Sequence, residues 1–302
     1  MVDVSIILVN YNTKELTTQC INSIFEKTEG ISFEVIVIDN NSKDGSVELL
    51  SSDKRIVFVE SGSNLGFGKA NNLGVENSNG KYIFFLNSDT LLLNNAVKIM
   101  FDFMAENQSN LNIGALGSIL LDGEYKRTHS YSSLPTVKSV LFEEWGDHIL
   151  KRFGKRMPRL DEKSVDSDEA YFKVGYVTGA DLFCSRDTIN KAGGFDPDFF
   201  MYWEESEMQY RWAKKLKKFS YIIKTPQIVH LEGKSAKVSS SCFIKTVRRM
   251  PSMFLYFKKT LNPFAYFLFR VVMFVSRIHQ FLLPKVTFSE KKMLLNVLCK
   301  KY

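Results

Sequence analysis

The stretch FFLNSDT, residues 84–90, decides how this chain is read. Tyr82-Ile83-Phe84-Phe85-Leu86 is a short apolar run rich in aromatic residues, and it breaks off into Asn87-Ser88-Asp89 with no Gly or Pro turn. Such runs read as strands buried on both faces of a parallel sheet. In open α/β sheets ligands collect outside the carboxyl ends of the strands, so Asp89 stands where a carboxylate can hold a cation or a sugar. A second reading makes it the cap of a helical segment at 94–107, since Asp is a favoured N-cap. This window alone leaves both open.

Working outward, apolar runs at 4–10 (VSIILVN), 34–39 (EVIVID), 56–59 and 81–86 read as strands, and 13–27, 44–52, 68–77 and 94–107 read as helices. The order is βαβαβαβ. It predicts an α/β fold with a mostly parallel sheet covered on both faces and a nucleotide-type site at the strand ends. Residues 122–170 are polar and poorly periodic, with a basic patch Lys151-Arg152-Phe153-Gly154-Lys155-Arg156. They read as an insertion beside the site, with short helices near 136–150. No internal repeat or low-complexity segment interrupts the chain.

Composition narrows the classes. The 302 residues are 45% apolar, enough for one large core, or one domain with an appendage. Cys20, Cys184, Cys242 and Cys299 lie far apart without CxxC spacing, which argues against a disulfide framework and a zinc site and for a reducing, cytoplasmic setting. The N-terminus leads straight into a strand pattern, without the features of a secretory signal. The longest apolar stretch, 264–275, contains Arg270 and falls short of the roughly 20 residues that cross a bilayer.

The net charge of +7 is unevenly spread. From Lys234 onward there are 14 Lys and Arg against one acid, Glu290, which leaves 40 − 14 = 26 bases and 33 − 1 = 32 acids in residues 1–233. The body is acidic and the tail basic. Aromatic residues, among them Phe254, Tyr256, Phe257, Phe264, Tyr266, Phe267, Phe269, Phe274 and Phe281, are interleaved with the tail's bases. That mixture suits a nucleic acid or an anionic membrane surface.

Three strand ends carry acceptor-rich loops: Asn10-Tyr11-Asn12, Asp39-Asn40-Asn41-Ser42 and Asn87-Ser88-Asp89. Carboxylates there can take base N–H groups or ribose hydroxyls, and loop amides can meet phosphate oxygens. The loop Gly62-Ser63-Asn64-Leu65-Gly66-Phe67-Gly68 invites a dinucleotide reading. That fingerprint belongs on the first βα turn, whereas this loop follows the third strand, so an oxidoreductase is a poor second.

The ordered set VSIILVNYNT, VIVIDNNSKDGS, NLGFGKANNLG, FLNSDT, VTGADLFCSRDTINKAGGFDPDFFMYWEESEMQYR and HLEGKS resembles the inverting glycosyltransferases of family 2, over roughly residues 3–240. The likeness is to the rhamnosyltransferase-like bacterial branch. It implies a GT-A fold, a Rossmann-like α/β domain over 1–240, with 241–302 as a helical C-terminal extension. It implies a nucleoside-diphosphate sugar donor, dTDP-L-rhamnose above others, and Mg²⁺ or Mn²⁺ on Asp89, the last residue of a DXD-like motif whose first acid is here Asn87. His230 matches a second metal ligand, with a structural histidine as its alternative. Asp39 matches the acid that reads the nucleobase, and Asn64, Gly66 and Asn72 the nucleotide pocket. Asn10, Tyr11, Asn12, Asn41, Asn87 and Ser88 complete the donor side.

Displacement with inversion needs a base for the acceptor hydroxyl on the face opposite the departing diphosphate. The resemblance puts that role on Glu205, a Glu where the family usually has Asp, with Tyr202, Trp203 and Glu204 on the acceptor side. Glu207 reads equally as an acid complementing a helix N-terminus. Gln209-Tyr210-Arg211-Trp212 has one residue too few for the QxxRW motif of processive synthases, so a single addition per encounter is expected. The implied acceptor is a saccharide or a polyprenyl-diphosphate-linked glycan in cell-surface polysaccharide synthesis. That favours an anionic membrane surface over nucleic acid as the tail's partner, with the protein peripheral on the inner face of the cytoplasmic membrane. Pro251 is expected to divide the tail into two short amphipathic helices. A non-catalytic sugar-nucleotide or glycan-binding protein on the same fold is the reading from another class.

Overall fold

A computed structural model describes residues 2–143, 168–231, 242–278, 281, 286–300 and 302. The basic patch at 151–156 lies outside them. Contacts divide the chain into two compact units, one of Met1–Leu134, Pro158–Phe200 and Glu204–Lys237, the other of Pro135–Met157, Met201–Trp203 and Val238–Tyr302.

In the first unit the expected alternation is present. Strands β1 (Val4–Asn10), β2 (Phe33–Asp39), β3 (Val57–Glu60) and β4 (Tyr82–Asn87) alternate with helices α1 (Lys14–Lys27), α2 (Ser46–Leu50) and α3 (Phe67–Glu76). After β4 come β5 (Thr90–Leu92), α4 (Ala96–Asn107), β6 (Ile113–Ser118), β7 (Tyr131–Ser132), β8 (Tyr171–Val174), β9 (Tyr176–Val177) and β10 (Asp181–Ser185). Helices α5 (Arg186–Ala192) and α6 (Glu204–Leu216), then strands β11 (Phe219–Ile223) and β12 (Ile228–His230), complete the unit.

The main sheet runs β3-β2-β1-β4-β10-β6-β11-β8. The first four strands are mutually parallel, β6 and β11 pair parallel, and β10 runs antiparallel between β4 and β6. Side chains alternate between two cores. Val4, Ile6, Leu8, Val35, Val37, Phe84 and Leu86 pack with Cys20, Ile21, Ile24, Met100 and Met104 on one face, and Ile7, Ile36, Ile38, Ile83 and Phe85 pack with Ala70, Met208 and Trp212 on the other. Burial on both faces explains why these strands read as unbroken apolar runs.

Several boundaries differ from the sequence reading. Segment 44–52 is helical only over Ser46–Leu50, because Asp44 folds into a turn: it accepts hydrogen bonds from the Lys14 and Ser46 amides and the Ser46 hydroxyl. Asp89 does not cap the helix at 94–107, since β5 intervenes and Asn95 occupies the N-cap. Within 122–170, β7 is a strand, 137–143 is helical, and the remainder of the expected 136–150 helices lies outside the described residues.

The second unit contains α7 (Cys242–Thr260), α8 (Pro263–Arg277) and α9 (Phe288–Cys299). The helix does not restart at Pro251: α7 is one helix of 19 residues with the proline inside. Burial of Val247, Met250, Met253, Phe254, Tyr256 and Phe257 on both sides of the proline offsets the lost backbone hydrogen bond. Phe257 meets Phe269 at 4.4 Å, and the Arg270 guanidinium lies over Phe254 at 4.2 Å. Phe254 and Phe257, expected to sit among surface bases, are therefore core. No helix among the described residues is long and apolar enough to cross a membrane.

Candidate active site

The strand order reverses between β1 and β4, because β1 to β3 build the sheet one way and β4 lies on the other side of β1. Such a switch point opens a crevice at the carboxyl ends of the strands. The pairing Asn10↔Asp39 and Val9↔Asn87 brings all three acceptor-rich loops to that edge.

Asp39, almost fully buried, braces the first two loops. Its Oδ1 accepts from Asn10 Nδ2 at 2.7 Å and its Oδ2 from the Ser42 amide at 2.9 Å, while the Ser42 hydroxyl accepts from Asn10 Nδ2 and the Asn12 amide. Asn12 and Asn41 have φ of 56° and 68°, the left-handed region that Asn tolerates better than bulkier residues. Part of the Asn richness of these loops is thus a backbone requirement. Tyr11 is half exposed beside them. Asn40, which the sequence reading did not single out, links the second loop to the one between β3 and α3: its Nδ2 donates to Asn64 Oδ1 at 3.2 Å and its Oδ1 accepts from the Leu65 amide at 2.8 Å. Asn64 Oδ1 also accepts from the Gly66 amide. Asn72 serves the frame, with its side-chain amide exchanging two hydrogen bonds with the backbone of Phe195.

The β4 end forms the centre of the site. Asn87, Ser88 and Asp89 turn directly into β5, which pairs antiparallel with β12 so that His230 stands opposite Thr90. His230 Nε2 lies 3.2 Å from Asp89 Oδ1 and 3.2 Å from Asn87 Nδ2, and Asp89 and His230 are both buried. Ser88 Oγ is 3.3 Å from Thr13 Oγ1. Among the described residues no group of three or more His, Cys, Asp or Glu side chains is gathered to hold a metal. A carboxylate oxygen and an imidazole nitrogen converging on one point nevertheless fit a cation that draws its remaining ligands from phosphate oxygens, as Mg²⁺ typically does with one or two protein carboxylates.

Asp181 was missed by sequence reasoning, although an acid opening the apolar strand DLFCS was a usable signal. Fully buried on β10, it accepts from the amide and the hydroxyl of Ser118 at 2.6 Å through Oδ2. Burial pushes its carboxyl up to about 7 against those hydrogen bonds and the nearby His230 charge.

Glu204, Glu205 and Glu207 open α6 with different surroundings. Glu207 is buried against Arg211, whose Nη2 donates to Oε2 at 2.9 Å; Arg211 also donates to the carbonyls of Ala192, Gly193 and Gly194. It belongs to the packing of α5 on α6. Glu204 is buried, and Glu205 is only half-buried. In the second turn of α6, Gln209 exchanges two hydrogen bonds with Val177 and accepts from Ser220 Oγ. Tyr202 and Trp203 belong to the second unit.

An eight-stranded α/β sheet with acidic and amide side chains at a switch point suits a nucleotide-type ligand, and the family and structural matches make the fold one of the GT-A type. The glycosyl transferase family 2 profile matches residues 5–171, and the chain belongs to that family. It is 39% identical over 201 residues to an uncharacterized glycosyltransferase of Rickettsia felis, covering 65% of this chain and 32% of that one. It is 30% identical over 122 residues to a poly(ribitol-phosphate) beta-glucosyltransferase of Bacillus spizizenii, covering 38% and 19%. The chain thus spans less than a third of the length of either relative. Its fold matches the mannosyltransferase PcManGT of Pyrobaculum calidifontis, solved with GDP-Man and Mn²⁺, with a TM-score of 0.54, 16% identity, and coverage of 97% of this chain and 72% of that one.

Proposed function

We propose that this protein is an inverting, metal-dependent glycosyltransferase that moves a sugar from a nucleoside diphosphate to a saccharide or polyprenyl-diphosphate-linked glycan in cell-surface polysaccharide synthesis. The observation that carries the reading is the convergence of Asp89, His230 and Asn87 at the β4 end, beside the Asn10 and Asp39 loops. Asp89 and His230 would hold Mg²⁺ or Mn²⁺, which as a Lewis acid stabilises the charge of a departing diphosphate. The GDP-Man and Mn²⁺ bound by the mannosyltransferase of like fold agree with that assignment, and the polymer named for the Bacillus relative agrees with a surface-polysaccharide acceptor.

The chain's own residues supply the rest. The Asp39, Asn64 and Gly66 loops would bind the nucleotide, and Glu205 would take the proton of the acceptor hydroxyl. The freed oxygen attacks the anomeric carbon from the face opposite the diphosphate, the bond to the diphosphate breaks, and the configuration inverts. The resemblance to the rhamnosyltransferase-like branch makes dTDP-L-rhamnose the first donor to test. The basic tail and the exposed apolar face of α8 support a peripheral seat on an anionic membrane surface, where each Lys or Arg contributes about 1 kcal/mol.

The test is a panel of nucleotide sugars with Mn²⁺, read first by thermal shift, since a ligand at about 100 times its Kd adds roughly 2.7 kcal/mol. Release of nucleoside diphosphate in the presence of acceptor follows. The proposal predicts acceptor-dependent release that Asp89→Ala abolishes. Binding without release would make the protein a sugar-nucleotide binder, and an Asp89→Ala variant of full activity would remove the metal role.

A further inference from the structure

The segment Met201–Trp203 joins the first unit's fold to the first turn of α6, yet it is grouped with the helical unit. Its backbone is unusual. Tyr202 and Trp203 have φ of 70° and 71°, two consecutive aromatic residues in the left-handed region. Bulky side chains avoid that region, and such conformations persist where their surroundings over-determine them.

Helix α7 supplies those surroundings from one face. Arg249, Ser252 and Tyr256 are spaced three and four residues apart and so project from the same side. The Ser252 hydroxyl donates to the Met201 carbonyl at 2.7 Å. The Trp203 ring packs on Tyr256 and Phe257 at centroid distances of 5.3 and 5.9 Å, and Arg249 lies 5.5 Å from the Tyr202 ring centroid. Ser252, Tyr256 and Phe257 are buried, and the Tyr256 hydroxyl is itself tied to the Pro135 carbonyl at 3.3 Å. Immediately upstream, the Phe200 carbonyl accepts from the Phe67 amide at 3.0 Å, a contact that needs Gly66, because a Cβ there would lie 2.2 Å from that oxygen. The residues that follow Trp203 are Glu204 and Glu205.

We propose that α7 is a positioning element for the transfer reaction: Ser252, with Arg249, Tyr256 and Phe257, holds Met201–Trp203 in its left-handed conformation and thereby fixes the backbone from which Glu205 is presented. The inference rests on the reading of Glu205 as the base. It gives the C-terminal extension a role in turnover separate from any membrane attachment. Ser252 is a positioning residue, acting through the Met201 carbonyl.

The experiment uses the full chain and the variants Ser252→Ala and Ser252→Thr. Hydrogen exchange of the free protein is followed at the amides of residues 202–205, and turnover is measured with the nucleotide sugar and acceptor identified by the release assay. Loss of the hydroxyl is expected to speed exchange at 202–205 about five- to tenfold, the effect of removing one hydrogen bond, while amides of β1 and β4 keep their protection. In parallel kcat falls by a similar factor with donor KM unchanged, and Ser252→Thr restores both. Unchanged exchange at 202–205 in Ser252→Ala overturns the proposal, as does a loosened segment with parental kcat. The two readings fail differently: full activity of Glu205→Gln removes the base assignment, whereas parental kcat in a loosened Ser252→Ala protein removes only the positioning role.

Discussion

At the residue scale, the same carboxylate chemistry does three jobs within one edge of the sheet. Asp39 uses both oxygens to join two loops, Asp89 faces His230, and Asp181 is buried with its charge opposed by its surroundings. The last has a thermodynamic consequence. The folded state keeps the Asp181 proton to about pH 7, while an unfolded carboxyl of this type loses it near the ordinary value of 3.8. Between those values the folded state binds more protons, so this group's contribution to stability falls as pH rises and is lowest above 7. Asp181→Asn keeps an acceptor for Ser118 and removes the charge. Its melting temperature is expected to match the parent near pH 4 and exceed it increasingly up to pH 7 to 8. A variant that melts below the parent at pH 8 would show that the carboxylate is held ionised. Asp39 and Asp89 could be singled out as candidates because each ends an apolar run, whereas Glu205 and His230 were named only through the resemblance to the family. Asn40 and Asp181 were not singled out, since their roles depend on loops and strands distant in the chain.

At the scale of elements, the first four strands and three of the intervening or following helices could be read nearly to their ends, β1, β2 and β4 because their apolar runs are buried on both faces. Strands β5 and β12 could not. At three residues each they are too short to show a period, and only their pairing brings His230 to Asp89. The continuity of α7 through Pro251 was likewise hidden, because tertiary burial outweighs the local penalty. The loop before α3 was read first as a weak dinucleotide signal, and its glycine has a different reason. Gly66 has φ of 81° and ψ of 180°, a combination nearly confined to glycine, and sits against the Phe200 carbonyl. Gly66→Ala is expected to cost about 1–3 kcal/mol in urea unfolding and to weaken nucleotide binding, whereas a neutral substitution would mean that the loop relaxes without loss.

At the scale of the whole molecule, an acidic transferase domain is followed by a basic helical extension. Its core is closed by the aromatic residues of α7, and α8 exposes an apolar face, the one proposed to meet a bilayer. Phe264, Phe267, Val271 and Val275 recur at helical spacing and are 71%, 62%, 43% and 60% exposed. Replacing Phe264 and Phe267 together by Ser in the full chain is expected to abolish sedimentation with anionic liposomes. Raising salt from 0.1 to 1 M should weaken binding of the parent, because the Debye length falls from about 10 to about 3 Å. Equal binding of the variant would leave that face as exposed surface without a lipid role.

The proposed mechanism requires Glu205 to remove the acceptor proton. Turnover of Glu205→Gln against the parent, at saturating donor with Mn²⁺ and acceptor, tests it most directly. A fall of about 10²–10⁴ in kcat with donor affinity nearly unchanged is expected, because general-base catalysis is worth that much and an inverting base acts on the face opposite the departing diphosphate. Turnover comparable to the parent would contradict it and move the base to another residue.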